Sequence, residues 1–165
     1  MPQPPLLVVM GVSGSGKSTI GRLLAERLDV PFVDADDLHP ITNVDKMAAG
    51  HPLDDDDRWP WLAKVGEAIA GASDTGVVVA CSALKRSYRD AIRVEAPGAT
   101  FVYLHGEREL LASRLGQREN HFMPATLLDS QLGALQPPTD DEAAVIVDVD
   151  GTPEQIVAAI LRTSV

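Results

Sequence analysis

The sequence predicts an α/β protein, a parallel sheet of five strands covered by helices on both faces. Two observations carry this. Short runs that are apolar throughout, LLVVM (6–10), GVVVAC (76–81) and ATFVYLH (99–105), alternate along the chain with stretches of helical periodicity. Strands without polar alternation are buried on both sides, the signature of a parallel sheet between helical layers. A third observation concerns one junction. The first apolar run passes straight into GVSGSGKS (11–18), and an amphipathic stretch follows at once.

The elements follow in order. After strand one, Ile20, Leu23, Leu24 and Leu28 fall on one helix face. PFVDAD (31–36) reads as a short second strand ending in acids. Residues 43–49 read as a brief helix with Asn43 as its N-cap and Gly50 beyond its end. Another helix is expected to begin near Arg58, capped by Asp57 or a neighbour, with Pro60 in its first turn. Strand three is 76–81. A helix over 85–95 ends at Pro97-Gly98, and strand four is 99–105. Glu107 to Arg118 and residues 124–135 are helical, with Leu110, Leu111 and Leu115 inward in the first and Leu127, Leu128, Leu132 and Leu135 in the second. AAVIVDV (143–149) is strand five, and Pro153 opens a last helix carrying Ile156, Val157, Ile160 and Leu161. No repeat, low-complexity tract or linker interrupts the 165 residues, so one domain spanning 1–165 is expected.

Composition excludes several classes. No apolar run approaches the roughly 20 residues a membrane-crossing helix needs. MPQPP places no positive charge ahead of its apolar stretch, against a secretory signal. A single cysteine, Cys81, allows neither an internal disulfide nor a cysteine zinc site, and a buried structural thiol in a reducing, cytoplasmic setting is expected. A net charge of −10 argues against nucleic acid as a partner, because phosphate backbones need clustered Lys and Arg.

GVSGSGKS fits G-x-x-x-x-G-K-[ST] with Gly11, Gly16, Lys17 and Ser18 at the fixed positions. Such a pattern arises by chance in a chain of this size on the order of one time in a hundred, before strand and helix context is demanded. The backbone of Gly11, Val12, Ser13, Gly14, Ser15, Gly16, Lys17, Ser18 and Thr19 is therefore read as a cradle for nucleotide phosphates at a helix N-terminus. Lys17 would bridge the β- and γ-phosphates and the Ser18 hydroxyl would take one position on Mg²⁺. The fold expected is thus a P-loop NTPase-type three-layer α/β/α sandwich with a small mobile lid.

Three clusters at the carboxyl ends of strands address the acceptor. Asp34 and Asp36 lie two apart, on one side of an extended chain. One would hold magnesium and the other orient an acceptor hydroxyl and take its proton; loop-entry and capping duty for Asp34, Asp36 and Asp37 is the competing reading. CSALKRSYRD (81–90) gathers Lys85, Arg86 and Arg89 at the start of a helix, with Lys85 and Arg89 on one face. SRLGQRENHF (113–122) places Arg114 and Arg118 four apart on one helix, leading to His121; either an anion lies between them or each pairs with a glutamate.

MGVSGSGKS (10–18), DADDLHP (34–40), KMAAGHPLDDDDRWPWL (46–62), CSALKRSYRD (81–90), the FVYL strand with RLGQRENHF, and LDSQLGALQPP (128–138) together closely resemble the small bacterial-type gluconate kinases, over essentially the full length. That family is related to shikimate kinase and the nucleoside monophosphate kinases. The resemblance implies ATP- and Mg²⁺-dependent phosphorylation of D-gluconate at its 6-hydroxyl, in a homodimer. It implies that Arg58, suited by its planar fork to a carboxylate, grips the acid end of the substrate. The preceding aspartates would cap the helix, hold the arginine and accept from substrate hydroxyls, while Trp59 and Trp61 pack. It implies further that Lys85 and Arg89 neutralise the substrate carboxylate or the transferring phosphoryl group, with His121 also at the substrate. In that reading Lys17 and Arg114 or Arg118 neutralise charge, Asp36 aligns the hydroxyl and accepts its proton, Asp34 lies near the metal, and residues 113–125 close over ATP. Base preference is not legible in the loop 148–152. A related small-metabolite kinase, for instance one acting on shikimate, is the enzyme alternative. A nucleotide-dependent switch acting on a protein partner is the alternative of another class.

Overall fold

The computed structural model describes residues 3–116 and 125–164. Five strands, β1 (Leu6–Met10), β2 (Phe32–Asp34), β3 (Val77–Ala80), β4 (Thr100–His105) and β5 (Ala144–Asp148), form one wholly parallel sheet in the order β2-β3-β1-β4-β5. Helices α1 (Lys17–Leu28), α2 (Ile41–Ala48), α3 (Asp55–Ala70), α4 (Arg86–Glu95), α5 (Arg108–Gly116), α6 (Ala125–Ala134) and α7 (Pro153–Ser164) make the connections, with one 3₁₀ turn at Ala35–Leu38. The α/β expectation and its five strands are borne out.

The strands are apolar throughout because each faces two cores. Leu7 and Val9 of β1, Val78 of β3, and Val102 and Leu104 of β4 join Ile20 and Leu24 of α1, Leu111 and Leu115 of α5, Leu128 of α6 and Ile156, Val157 and Ile160 of α7. The alternate residues, Val8, Met10, Val77, Val79, Phe101 and Tyr103, pack against Trp61, Leu62, Val65 and Ile69 of α3 and Tyr88 and Ile92 of α4. The period of two along each strand sends neighbours into opposite cores. Ile146 of β5 departs from the pattern, at 59% exposure. It lies on an edge strand.

The order of strands turns at β1 and β3. β1 and β3 are sequence neighbours of helices on opposite sides, so the crevice at their carboxyl ends is where a doubly wound sheet accommodates ligands. The loops that open there are the glycine loop 11–16, the 3₁₀ turn after β2 and the turn 81–85 after β3.

Two helix boundaries differ from the sequence expectation. α2 begins at Ile41, so Asn43 lies inside it, only 3% exposed, rather than capping it. Its amide is drawn inward by donation to the Asp57 carbonyl (2.9 Å); a tertiary partner outweighs the capping preference of asparagine. α3 begins at Asp55, capped by Asp54, three residues earlier than expected. Pro60 consequently lies in its second turn. The Asp56 carbonyl it leaves without an intrahelical donor lies at exposed residues, where water can satisfy it.

Candidate active site

The glycine loop is built by backbone that other residues resist. Gly14 has φ +88°, and a Cβ there would stand 2.9 Å from Leu115 Cγ and 3.0 Å from the Leu111 carbonyl of α5. Gly16, at φ +90°, caps α1. The Val12 carbonyl accepts from Ser15 N (3.2 Å), Ser15 Oγ (2.7 Å) and Lys17 Nζ (3.3 Å), which curls the chain over the helix N-terminus. Gly11 N donates to the Ser82 carbonyl (3.3 Å), joining the cradle to the turn after β3. Ser13 N donates to Oε1 of Gln131 on α6 (2.7 Å), so α6 is fastened to the rim of the cradle.

Beyond this loop stand the acids of β2. The chain does not stay extended past Asp34. It tightens into the 3₁₀ turn, and Asp34 Oδ1 caps it by accepting from Asp36 N (3.0 Å). The capping reading is therefore right for Asp34, and the expected same-side projection is replaced by this turn. Asp34 Oδ2 has no partner among the described residues. With the half-buried Ser18 on the second position of α1, it offers the hard oxygen ligands that Mg²⁺ takes together with phosphate oxygens. Asp36 keeps solvent access, yet desolvation first and the neighbouring Asp34 charge second raise its pKa above the usual carboxylate value; His39 and Lys17 pull the other way. A carboxylate so raised accepts a proton more readily.

The four aspartates divide their tasks. Asp54 and Asp57 form a reciprocal capping box: Asp57 N donates to Asp54 Oδ1 (2.9 Å) and Asp54 N to Asp57 Oδ2 (3.0 Å). Lys46 of α2 donates to Asp57 (2.6 Å), which holds that carboxyl below its usual range. Asp55 accepts from the Tyr88 hydroxyl (2.6 Å) and lies 3.4 Å from Arg58 NH1. Its pKa is lowered, chiefly by Tyr88. Asp56 is exposed in the first turn, where a negative charge suits the helix dipole.

Arg58 and Lys85 meet at Tyr88. The Arg58 guanidinium lies 5.5 Å from the centre of the Tyr88 ring and its NH1 3.3 Å from the hydroxyl, while Lys85 Nζ stands 5.6 Å from the ring. Two cations thus lie on one aromatic ring beside the Asp55 carboxylate, with the Arg58 side chain still 32% exposed. Tyr88 carries no expectation from the sequence, since an aromatic in a helix reads as core. Trp61 packs as expected, 5% exposed, and its Nε1 donates to the Ala35 carbonyl (2.7 Å), tying α3 to the 3₁₀ turn. Trp59 is half-exposed, edge-on to Tyr88 at 5.8 Å.

Arg89 corrects the sequence reading. It is fully buried, so no ligand reaches it, and its five donors are spent within the protein. Nε donates to Glu142 Oε1 (2.7 Å), NH1 to the carbonyls of Ala83 (2.9 Å) and Leu84 (3.4 Å), and NH2 to the Gln136 carbonyl (2.9 Å) and Glu142 Oε2 (3.0 Å). Ala83 sits at φ +44°, a left-handed conformation that alanine adopts only under constraint. Arg89 thus holds the turn that presents Lys85. Arg86, at the surface, pairs with Asp141 (2.8 Å).

Arg114 NH2 donates to the Val149 carbonyl (2.6 Å), with Gly151 O at 3.4 Å. It braces the loop after β5. Arg118, His121 and most of the expected lid, 113–125, lie outside the described residues. Cys81 is buried, which pushes its thiol pKa up to about 12 and leaves it protonated and inert.

A family model described as shikimate kinase matches residues 13–164. The thermoresistant gluconokinase of Escherichia coli (strain K12) is 43% identical over 160 residues, covering 95% of this chain and 91% of its own. The gluconokinase of Gluconobacter oxydans (strain 621H) is 45% identical over 162 residues, covering 97% and 91%. Among solved structures, a gluconokinase from Sinorhizobium meliloti 1021 superposes with a TM-score of 0.86 at 52% identity, over 96% of this chain and 90% of that one.

Proposed function

Because the chain belongs to the shikimate kinase family and, within it, to the gluconokinases, we infer that it transfers the terminal phosphoryl group of ATP to the 6-hydroxyl of D-gluconate, giving 6-phospho-D-gluconate and ADP. One observation in the site carries the acceptor assignment. Asp36, a carboxylate of raised pKa within electrostatic reach of Lys17 in the phosphate cradle, and Arg58, which with Lys85 lies on the Tyr88 ring, both act on His39. An acceptor with a hydroxyl at one end and a carboxylate at the other satisfies both.

Phosphoryl transfer passes through a loose transition state, so alignment and charge neutralisation supply most of the catalysis. The loop 11–16 and the N-terminus of α1 hold the phosphates, and Lys17, within electrostatic reach of Asp36, lies between donor and acceptor. Asp36 orients the 6-hydroxyl and receives its proton. Arg58 and Lys85 hold the carboxylate at the far end. Ser18 and Asp34 would hold Mg²⁺, which when bound neutralises charge on the phosphate oxygens. Arg114 steadies the loop after β5, and closure of 113–125, with Arg118 and His121, would exclude water from the transfer. The enzyme is proposed to work in the cytoplasm as a homodimer; the α2 face carrying Ile41, Val44 and Met47, exposed by 71%, 44% and 42%, is an apolar surface available to a second copy. Light scattering should give twice the 17.6 kDa chain mass, and a monomer at working concentration would remove that part.

The test is ADP release across a panel of sugar acids and shikimate. Gluconate should stimulate it strongly and shikimate should not; ADP release indifferent to gluconate overturns the assignment. Arg58→Ala should raise the gluconate KM by about tenfold to a hundredfold, as expected when a charge-assisted hydrogen bond is lost, with the ATP KM unchanged. An unchanged gluconate KM would remove Arg58 from the site.

A further inference from the structure

His39 has no part in the mechanism above, yet its ring is fixed by two contacts, one on its face and one at Nδ1. It follows the 3₁₀ turn and stacks on Trp61, with centroids 4.2 Å apart and planes 16° from parallel. Its Nδ1 lies 3.2 Å from Asn43 Nδ2. The same Nδ2 donates to the Asp57 carbonyl (2.9 Å), which settles the orientation of the Asn43 amide. Turned over, a nearly buried amide oxygen would face that carbonyl with no proton between them.

An NH₂ group offers two protons and no acceptor, so Nδ1 of His39 must accept. An imidazole that accepts at Nδ1 carries its proton on Nε2. No described residue takes that Nε2–H. Burial, ahead of the opposing influence of Asp36, lowers the His39 pKa, which keeps the ring a neutral donor near pH 7. Asp36 and Arg58 are the two charged groups that act on the ring. In the reaction above they are the two ends of the acceptor: the hydroxyl end and the carboxylate end.

We propose that His39 is a specificity-determining residue that donates its Nε2–H to a hydroxyl in the middle of the sugar-acid chain, with Asn43 setting the tautomer and Trp61 the plane of the ring. The proposal rests on the gluconokinase reading. It explains why an otherwise ordinary packing histidine is held in one tautomer beside the carboxylate that receives the hydroxyl proton. A site built to donate to a hydroxyl rejects analogues that lack it.

The experiment compares wild type, His39→Phe and His39→Gln on D-gluconate and on its 2-, 3- and 4-deoxy analogues. Phenylalanine keeps the stack on Trp61 without the donor; glutamine places an amide N–H near the position of Nε2. His39→Phe should lower kcat/KM for gluconate by about tenfold, the worth of one hydrogen bond, leaving the ATP KM unchanged. His39→Gln should recover part of the loss. One deoxy analogue should be poor for wild type and no poorer still for His39→Phe. A merely structural histidine would instead give equal fractional losses on every substrate, and that outcome overturns the proposal. Nitrogen-resolved NMR of the wild-type ring should show the Nε2–H tautomer; Nδ1–H overturns it whatever the variants do. If wild type phosphorylates gluconate but His39→Phe is indistinguishable from it, only the role of His39 falls. If wild type ignores gluconate, the gluconokinase reading falls first.

Discussion

Lys17→Ala should abolish turnover while leaving the fold intact. The lysine opens α1, and its ammonium rests 3.3 Å from the Val12 carbonyl at the mouth of the cradle. It is also close enough to Asp36 to lower that carboxyl's pKa. In the proposed reaction it would stand between the nucleotide's phosphates and the acceptor hydroxyl. The negative charge shifting toward the leaving phosphate needs a fixed counter-charge, and removing one preorganised donor of this kind costs on the order of 10²–10³ in kcat. Alanine is the best helix former and the side chain it replaces is half-exposed, so stability should change by no more than about 0.5 kcal/mol. Circular dichroism and a thermal melt check the fold, and a coupled ADP assay reads the rate. Lys17→Arg should rescue poorly, because a planar guanidinium does not replace a compact ammonium inside a narrow loop. Activity within about tenfold of wild type in the alanine variant would overturn the cradle assignment, since no single preorganised charge would then be at stake.

The strands and the glycine loop were legible because their signals are local. The four apolar runs of β1, β3, β4 and β5 need only their own residues to declare themselves, and G-x-x-x-x-G-K-S carries its conformation in its glycines. What was not legible depended on partners far along the chain. Asn43 has the composition of an N-cap, and only the Asp57 carbonyl, fourteen residues on, explains why it is drawn inside α2. Asp34 and Asp36 look like a matched pair in an extended strand until Asp34 takes the Asp36 N–H and closes the turn. The four aspartates could be foreseen to cap and to hold an arginine, but their separate tasks depended on Lys46 and Tyr88. Arg89 did carry a signal that was passed over. It adjoins Tyr88 and lies three residues before Ile92, so it shares the buried stripe of α4. Reading it with Lys85 as one face turned to the substrate gives weight to charge over position.

Arg89→Leu should accordingly act on stability, in contrast to Arg58→Ala. Both partners of the Arg89–Glu142 pair have fully buried side chains. Deleting the arginine leaves Glu142 without its bidentate donor and takes the donors away from the carbonyls of Ala83, Leu84 and Gln136. Breaking a buried pair from one side costs about 3–5 kcal/mol, a fall in Tm on the order of 10 °C for a domain of this size. Glu142→Gln, which cannot concern a ligand, should also destabilise, and the double variant should lose less than the sum because the two act through one interaction. Acid reports the same contact. Burial raises the Glu142 pKa, but hydrogen bonds from Arg89, the Thr139 N–H and Arg93 outweigh it and hold the group at about 2, below an ordinary value of 4.5. A carboxyl depressed in the folded state contributes fully above about 4.5 and loses that contribution as pH falls toward about 2. Wild type should therefore lose stability across this window, and Glu142→Gln should show a shallower decline there from a lower starting point. An Arg89→Leu protein with unchanged Tm and a raised gluconate KM would mean that the arginine reaches substrate after all, and that the turn at Ala83 opens during catalysis.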